Sequence, residues 1–191
     1  ELNHLPLAER FWGAWFQAVT PRTAGFNTVD LNAMSESGQM LTALLMLIGG
    51  APGSTAGGMK VTTFAVMAAV AAAVFKRRQN GRFFGRRIDD ETVKNAATVF
   101  LMYIGLFLLG GMRISKLEGF PLLACLYECA SAVGTVGLSL GITPELGWTS
   151  KLILTALMYI GRVGGLTLLF ATLPATKNTM SRLPLEKISV G

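Results

Sequence analysis

The stretch Gly49-Gly50-Ala51-Pro52-Gly53-Ser54-Thr55-Ala56-Gly57-Gly58 interrupts what is otherwise a long apolar run. Ser37 to Met59 carries no charge, and after Lys60 the segment Val61 to Phe75 is again uncharged and rich in Ala, Val and Met. One straight helix through both would reach about 55 Å, against a bilayer hydrocarbon core of about 30 Å. The glycines lower helix propensity and Pro52 removes a backbone donor, so the helix is expected to break over 49–58.

The composition around this stretch agrees with a lipid setting. Of 191 residues, 51% are hydrophobic and 15% charged, with a net charge of +6 and a mean hydropathy of +0.49. A soluble domain carries roughly 25% charged residues. Two more spans are expected, Asn95 to Met112 and Leu152 to Leu173, the latter with Arg162 as its single charge. Between the broken segment and the Asn95 span, Lys76 to Lys94 holds seven of the 17 basic residues. The positive-inside rule places this loop in the cytoplasm. The alternative, a nucleic-acid-binding patch, is disfavoured because the run is short and hemmed by membrane segments. The broken segment then runs inward, the Asn95 span outward and the Leu152 span inward again. The tail with Lys177, Arg182 and Lys187 also falls inside. Two cysteines cannot make a disulfide framework. Glu1-Leu2-Asn3-His4 has neither a basic start nor an apolar core, and the first residue is not Met, so no signal peptide is expected and the chain is read as beginning inside a longer polypeptide.

Two segments, Phe11 to Val19 and Pro121 to Val133, are apolar but too short to cross, which suggests re-entrant helices on the outer side. A helix lying in the interface, anchored by Trp12, Trp15 and Phe16, is the alternative for the first. A shift of 112 positions relates the two. Thr23-Ala24-Gly25-Phe26-Asn27 falls on Thr135-Val136-Gly137-Leu138-Ser139, Leu45-Met46-Leu47-Ile48-Gly49 on Leu157-Met158-Tyr159-Ile160-Gly161, and Gly53 on Gly165. The expected fold is therefore an all-α membrane protein built from repeated modules of a helix, a re-entrant pore helix and a helix, as in a potassium-channel-like pore. The first copy lacks its outer helix. The parts are residues 1–75 for the first copy, 76–94 for the basic loop, 95–174 for the second copy and 175–191 for a cytoplasmic tail.

Irregular backbone at membrane depth is tolerated only where it is buried in protein or lines a wet cavity. A potassium-type filter uses such backbone directly, its carbonyl oxygens replacing the hydration shell of the ion. The carbonyls of Thr23, Ala24 and Gly25 and of Thr135, Val136 and Gly137 are the ion-ligand candidates, with Phe26 and Leu138 completing the two turns. A lone Thr-x-Gly would be an ordinary turn; the repeat and the preceding helix single these out.

Four segments together, Thr20 to Thr28, Gly49 to Lys60, Gly134 to Ser139 and Ile160 to Thr167, resemble the KtrB/TrkH family of bacterial potassium-uptake proteins, the KtrB branch most closely. The resemblance implies four such modules around one pore, of which this chain matches the third and fourth. It implies one filter glycine per module, here Gly25 and Gly137. It implies an intramembrane loop, here Gly49, Gly50, Ala51, Pro52, Gly53, Ser54, Thr55, Ala56, Gly57 and Gly58, that obstructs conduction and moves on opening. It also implies a homodimer of the complete subunit, a cytoplasmic ring of nucleotide-binding KtrA/TrkA-like regulators, sodium dependence, and a place in the bacterial inner membrane. No cofactor is expected in this chain, which has no nucleotide fingerprint of its own; potassium is the substrate, with sodium possible.

Small residues over 49–58 can change conformation at little steric cost, which suits a gate; close helix packing is the alternative. Lys60 and Arg162 fall within membrane depth, so each is expected to face protein or a wet cavity and to find carbonyl partners. Either they hold a closed loop or form part of the barrier, or they are structural cations neutralised elsewhere. Glu128, seven positions before Thr135, is read as bracing the filter backbone, with Asn27 as a further support. Cys125 and Cys129 share a helical face and are read as packing. Asp30, Glu36, Glu118 and Glu145 lie near the outer mouth, by default as solvated charges. A membrane-embedded enzyme would need converging ionisable groups that are not visible here. An alternating-access carrier shares the broken-helix signature, although its repeats are often inverted whereas these run parallel.

Overall fold

A computed structural model of the chain describes residues 6–77, 81–83 and 86–164. The expected tail, the end of the Leu152 span and Gly165 lie outside the described residues. The fold is mostly helical: α1 Leu7–Val19, α2 Glu36–Leu47, α3 Val61–Phe75, α4 Asp90–Glu118, α5 Leu122–Gly134 and α6 Trp148–Val163. Two antiparallel strands of two residues, β1 Arg82–Phe83 and β2 Arg86–Arg87, and a 3₁₀ turn over Thr143–Glu145 complete it.

The centre of the fold is α5. It opens after Pro121, and every residue from Cys125 to Gly134 is buried, the pattern of a helix enclosed on all sides. It packs against α4, α6 and α2. Around it, α4 buries Ala96, Val99, Tyr103, Phe107, Gly110, Gly111 and Ile114, spaced three or four apart on one face. The opposite face leaves Leu101 and Leu109 exposed, as a lipid-facing side would. At 29 residues α4 is about 43 Å long, and among the described residues it alone is long and apolar enough to cross a bilayer by itself. The charged flanks extend it beyond the expected Asn95–Met112. Asp89 caps its first turn by accepting from the Glu91 N–H, and Gly119 ends it in the left-handed region at φ 76°.

The helix break falls where the glycines and proline put it. α2 stops at Leu47 and α3 starts at Val61. The intervening loop is laced at its neck: the Gly49 N–H donates to the Met59 carbonyl at 2.7 Å, Met59 N–H to Leu47 at 3.1 Å and Val61 N–H to Gly50 at 3.2 Å. Chain polarity groups that a continuous helix would have satisfied are thus paired across the loop.

The repeat is visible in the backbone. α2 begins at Glu36 and α6 at Trp148, 112 positions apart, and both short helices have 13 residues and follow a proline. The copies part at their ends, because α2 unwinds at Ile48 whereas α6 continues through Gly161 to Val163. No residue of α1 is buried, and Phe11, Trp12 and Trp15 are exposed on it.

One contact between α4 and α6 was not foreseen. Glu118, at the end of α4, accepts at Oε1 from the Gly147 N–H at 2.9 Å and from Ser150 Oγ at 2.6 Å. Gly147 has no side chain to cap α6, so the carboxylate of another helix does so, in the field of the helix N-terminus. Glu118→Ala is expected to lower unfolding free energy by about 2 kcal/mol, read as a lower thermal midpoint of the intact protein in detergent. An unchanged midpoint would remove Glu118 as the cap.

Candidate functional site

The two Thr-x-Gly turns converge. A Cβ added to Gly25 would overlap the Val136 carbonyl oxygen and lie 3.9 Å from the Gly137 Cα. Their backbones match at the first and third residues: Thr23 and Thr135 have φ of 62° and 51°, and Gly25 and Gly137 have φ of 73° and 95°. A threonine in this region is a genuine outlier, since its branched Cβ crowds the backbone there. Two such outliers, 112 positions apart, show one turn built twice.

Each turn is held by bonds to its own helix end. The Ala24 and Gly25 N–H groups donate to the Thr20 carbonyl at 3.1 and 3.2 Å. The Val136 N–H donates to the Ser131 carbonyl at 2.9 Å, and the Gly137 N–H to Ser131 Oγ at 3.1 Å. Thr23 Oγ1 ties one copy to the other by donating to the Gly134 carbonyl at 3.3 Å. Five of the six turn N–H groups, those of Ala24, Gly25, Thr135, Val136 and Gly137, are bonded in this way or to the helix end. Among the described residues, no hydrogen bond ends on the carbonyls of Thr23, Ala24, Gly25, Thr135, Val136 or Gly137. The Phe26 carbonyl differs, accepting from Thr20 Oγ1. Leu138 is buried. Beside the turns is a cavity of about 440 Å³ lined by Thr23, Ser131, Thr135, Val136, Gly137, Met158 and Arg162.

Glu128 is 5% exposed and receives three bonds from the segment following the second turn. Its Oε1 accepts from Ser139 Oγ at 2.6 Å and Leu140 N at 3.0 Å, and its Oε2 from Thr143 Oγ1 at 2.7 Å. Asn27 instead makes a local turn, its Oδ1 accepting from the Val29 N–H at 3.3 Å. Cys125 and Cys129 are free and buried, and among the described residues no cluster of three His, Cys, Asp or Glu side chains is placed to hold a metal.

The loop over 49–58 lies against the second copy. Lys60 Nζ donates to the Ala56 carbonyl at 2.7 Å and to the Ser54 carbonyl at 3.2 Å. Arg162 donates from a terminal guanidinium nitrogen to the Thr55 carbonyl. Three successive loop carbonyls, Ser54, Thr55 and Ala56, are therefore held by two cations, Lys60 just before α3 and Arg162 in α6. The Gly58 N–H donates to the Gly161 carbonyl at 3.2 Å, and the Gly57 N–H to Thr135 Oγ1 at 3.1 Å. Sequence reasoning missed the roles of Ser131 and of the Thr135 hydroxyl. Ser131 carries a local signal, four positions before Thr135; the Thr135 contact spans 78 positions and carries none.

Residues 2–181 match the TrkH family, described as a cation transport protein. The chain is 38% identical over 190 residues to the Ktr system potassium uptake protein B of Bacillus subtilis, covering 100% of this chain and 42% of that protein. It is 40% identical over 189 residues to the potassium/sodium uptake protein NtpJ of Enterococcus hirae, covering 96% and 42% respectively. The crystal structure of the potassium transporter TrkH from Vibrio parahaemolyticus superposes with a TM-score of 0.72 at 26% identity, over 87% of this chain and 38% of that one. The chain thus spans about two fifths of the length of the relatives it matches. With a family match over nearly its whole length and the repeated helical architecture in place, the chain belongs to the TrkH family of membrane cation transport proteins.

Proposed function

We propose that the intact protein takes up potassium, with sodium possible, through a filter to which this chain contributes Thr23, Ala24, Gly25 and Phe26 and Thr135, Val136, Gly137 and Leu138. One observation carries the reading: two equivalent turns meet with five of their six N–H groups bonded inward and, among the described residues, six carbonyls that accept no hydrogen bond. Carbonyl oxygens so presented replace the water shell of an alkali cation without any charged side chain. The turns belong to modules 1–75 and 95–174, joined by the basic loop 76–94, and two modules supply only part of a ring, so conduction belongs to the whole protein. We place it in the bacterial inner membrane as a multi-pass subunit, with the basic loop and the tail 175–191 in the cytoplasm. Its partners are a second copy of the complete subunit and a cytoplasmic nucleotide-binding regulator. That the Bacillus subtilis relative is the B protein of a Ktr system supports a multi-component assembly.

In this reading the loop Gly49–Gly58 is the gate and Lys60 and Arg162 hold it closed. Its support is the pair of cations bonded to Ser54, Thr55 and Ala56 carbonyls. Glu128 supports the filter through the segment it braces. The test is rubidium flux into vesicles containing the complete protein. Arg162→Gln is expected to raise leak at least about fivefold, the shift in closed population that losing ~1 kcal/mol produces. Equal leak in well-folded protein would remove Arg162 from the gate.

A further inference from the structure

The loop and the second Thr-x-Gly turn meet at one oxygen. Thr135 Oγ1 accepts the Gly57 N–H at 3.1 Å. The approach is tight, because a Cβ at Gly57 would overlap that oxygen and lie 2.7 Å from Thr135 Cγ2. On the next residue, the Gly58 N–H is held by the Gly161 carbonyl. Thr23 occupies the same place in the first copy, yet its hydroxyl donates to the Gly134 carbonyl instead. The two threonines thus share a backbone conformation and differ in what the hydroxyl serves. Thr135 also lines the 440 Å³ cavity, together with Thr23, Val136, Gly137 and Arg162. Thr135 therefore borders both the loop, through its hydroxyl, and that cavity.

We infer that Thr135 is a positioning residue coupling alkali-cation occupancy of the cavity beside the turns to docking of the 49–58 loop, because the loop N–H and the cation compete for one hydroxyl oxygen. This rests on the reading of the loop as a gate. An N–H aimed at an oxygen presents its positive end there, so a cation on the same oxygen is repelled by it. By linkage, a cation that binds the undocked arrangement better shifts the population toward it, and a docked loop weakens the cation in return. Potassium then loosens its own gate through Thr135.

The experiment uses the complete protein in lipid vesicles with Ser54→Cys, and measures the rate of thiol labelling at that loop position, corrected for the protein without it. Potassium is compared with N-methylglucamine. With Thr135 present, potassium is expected to raise labelling about threefold or more, and Thr135→Ser keeps the response because it keeps the oxygen. Thr135→Val is expected to label fast in either cation and to leak rubidium about fivefold more, having lost the acceptor of a semi-buried N–H. Gly57→Ala, which displaces the loop from the other side of the same contact, gives the same phenotype and keeps the test open should Thr135→Val fail to fold. Potassium-dependent labelling that persists in a folded Thr135→Val protein, or parental leak there, overturns the coupling. Deletion of residues 51–56 separates the two readings. Unchanged flux after deletion removes the gate, whereas raised flux with an inert Thr135→Val removes only the coupling.

Discussion

Gly25→Ala in the complete protein is expected to cut rubidium uptake to about one hundredth, while Gly137→Ala retains roughly a tenth, although the two glycines occupy the same place in the repeat. Both have φ in the left-handed region, at 73° and 95°, where a Cβ costs about 1–2 kcal/mol. For Gly137 that is the whole penalty, since among the described residues nothing beyond its chain neighbours lies within 4 Å of the added atom. For Gly25 the added methyl also overlaps the Val136 carbonyl oxygen, which is backbone and has no rotamer to escape into. The turn has to open, and with it the spacing of the carbonyls proposed to strip the ion. Vesicle flux normalised to monodisperse protein checks the order. Equal loss from both substitutions would mean that the close approach of the two turns does not govern transport.

Glu128→Ala is expected to be the most destabilising single change within the second copy. Removing this carboxylate strands the buried Leu140 N–H and takes from the Ser139 and Thr143 hydroxyls their acceptor, leaving them each other at 3.2 Å. Each lost partner costs about 1–3 kcal/mol where water cannot replace it; two are half-buried, so a total of about 3 kcal/mol is expected. The thermal midpoint in detergent should fall on the order of 5 °C or more. Glu128→Gln keeps one acceptor oxygen and the side-chain shape, and the Thr143 hydroxyl can turn to accept from the amide, so it should lose far less. Equal midpoints for Glu128→Ala and the parent would mean that the segment 139–143 is held by something else.

The parts of the fold legible in the sequence are those in which local chemistry agrees with the tertiary outcome. Glycine and proline in 49–58 end α2 by the same loss of helix propensity wherever the segment lies, and the constant 112-position offset reports equivalent turns because Thr-x-Gly has the same backbone in each. The length of α4 was less legible. Its ends are charged, and the Asn95–Met112 reading stopped at the apolar part, whereas Asp89 and Gly119 set the real limits. The strands in the basic loop carry no alternating apolar pattern, since Arg82 faces Arg87 across the pair. Contacts between distant segments left no trace: Glu118 reads as a solvated loop charge until Gly147 and Ser150 come to it. Thr135 is one member of a turn until Gly57 arrives at its hydroxyl.

Where α2 unwinds and α6 continues, corresponding positions have taken opposite characters. Gly50, beside the neck of the loop, has Arg162 as its counterpart 112 positions on, and that arginine reaches back to Thr55. The two halves are complementary pieces: one lacks helix beyond Leu47 and presents loop carbonyls, and the other carries the arginine that binds one of them. Making either half like the other would strand a polar group on its partner, so the asymmetry of the pair is maintained by the chemistry that joins them.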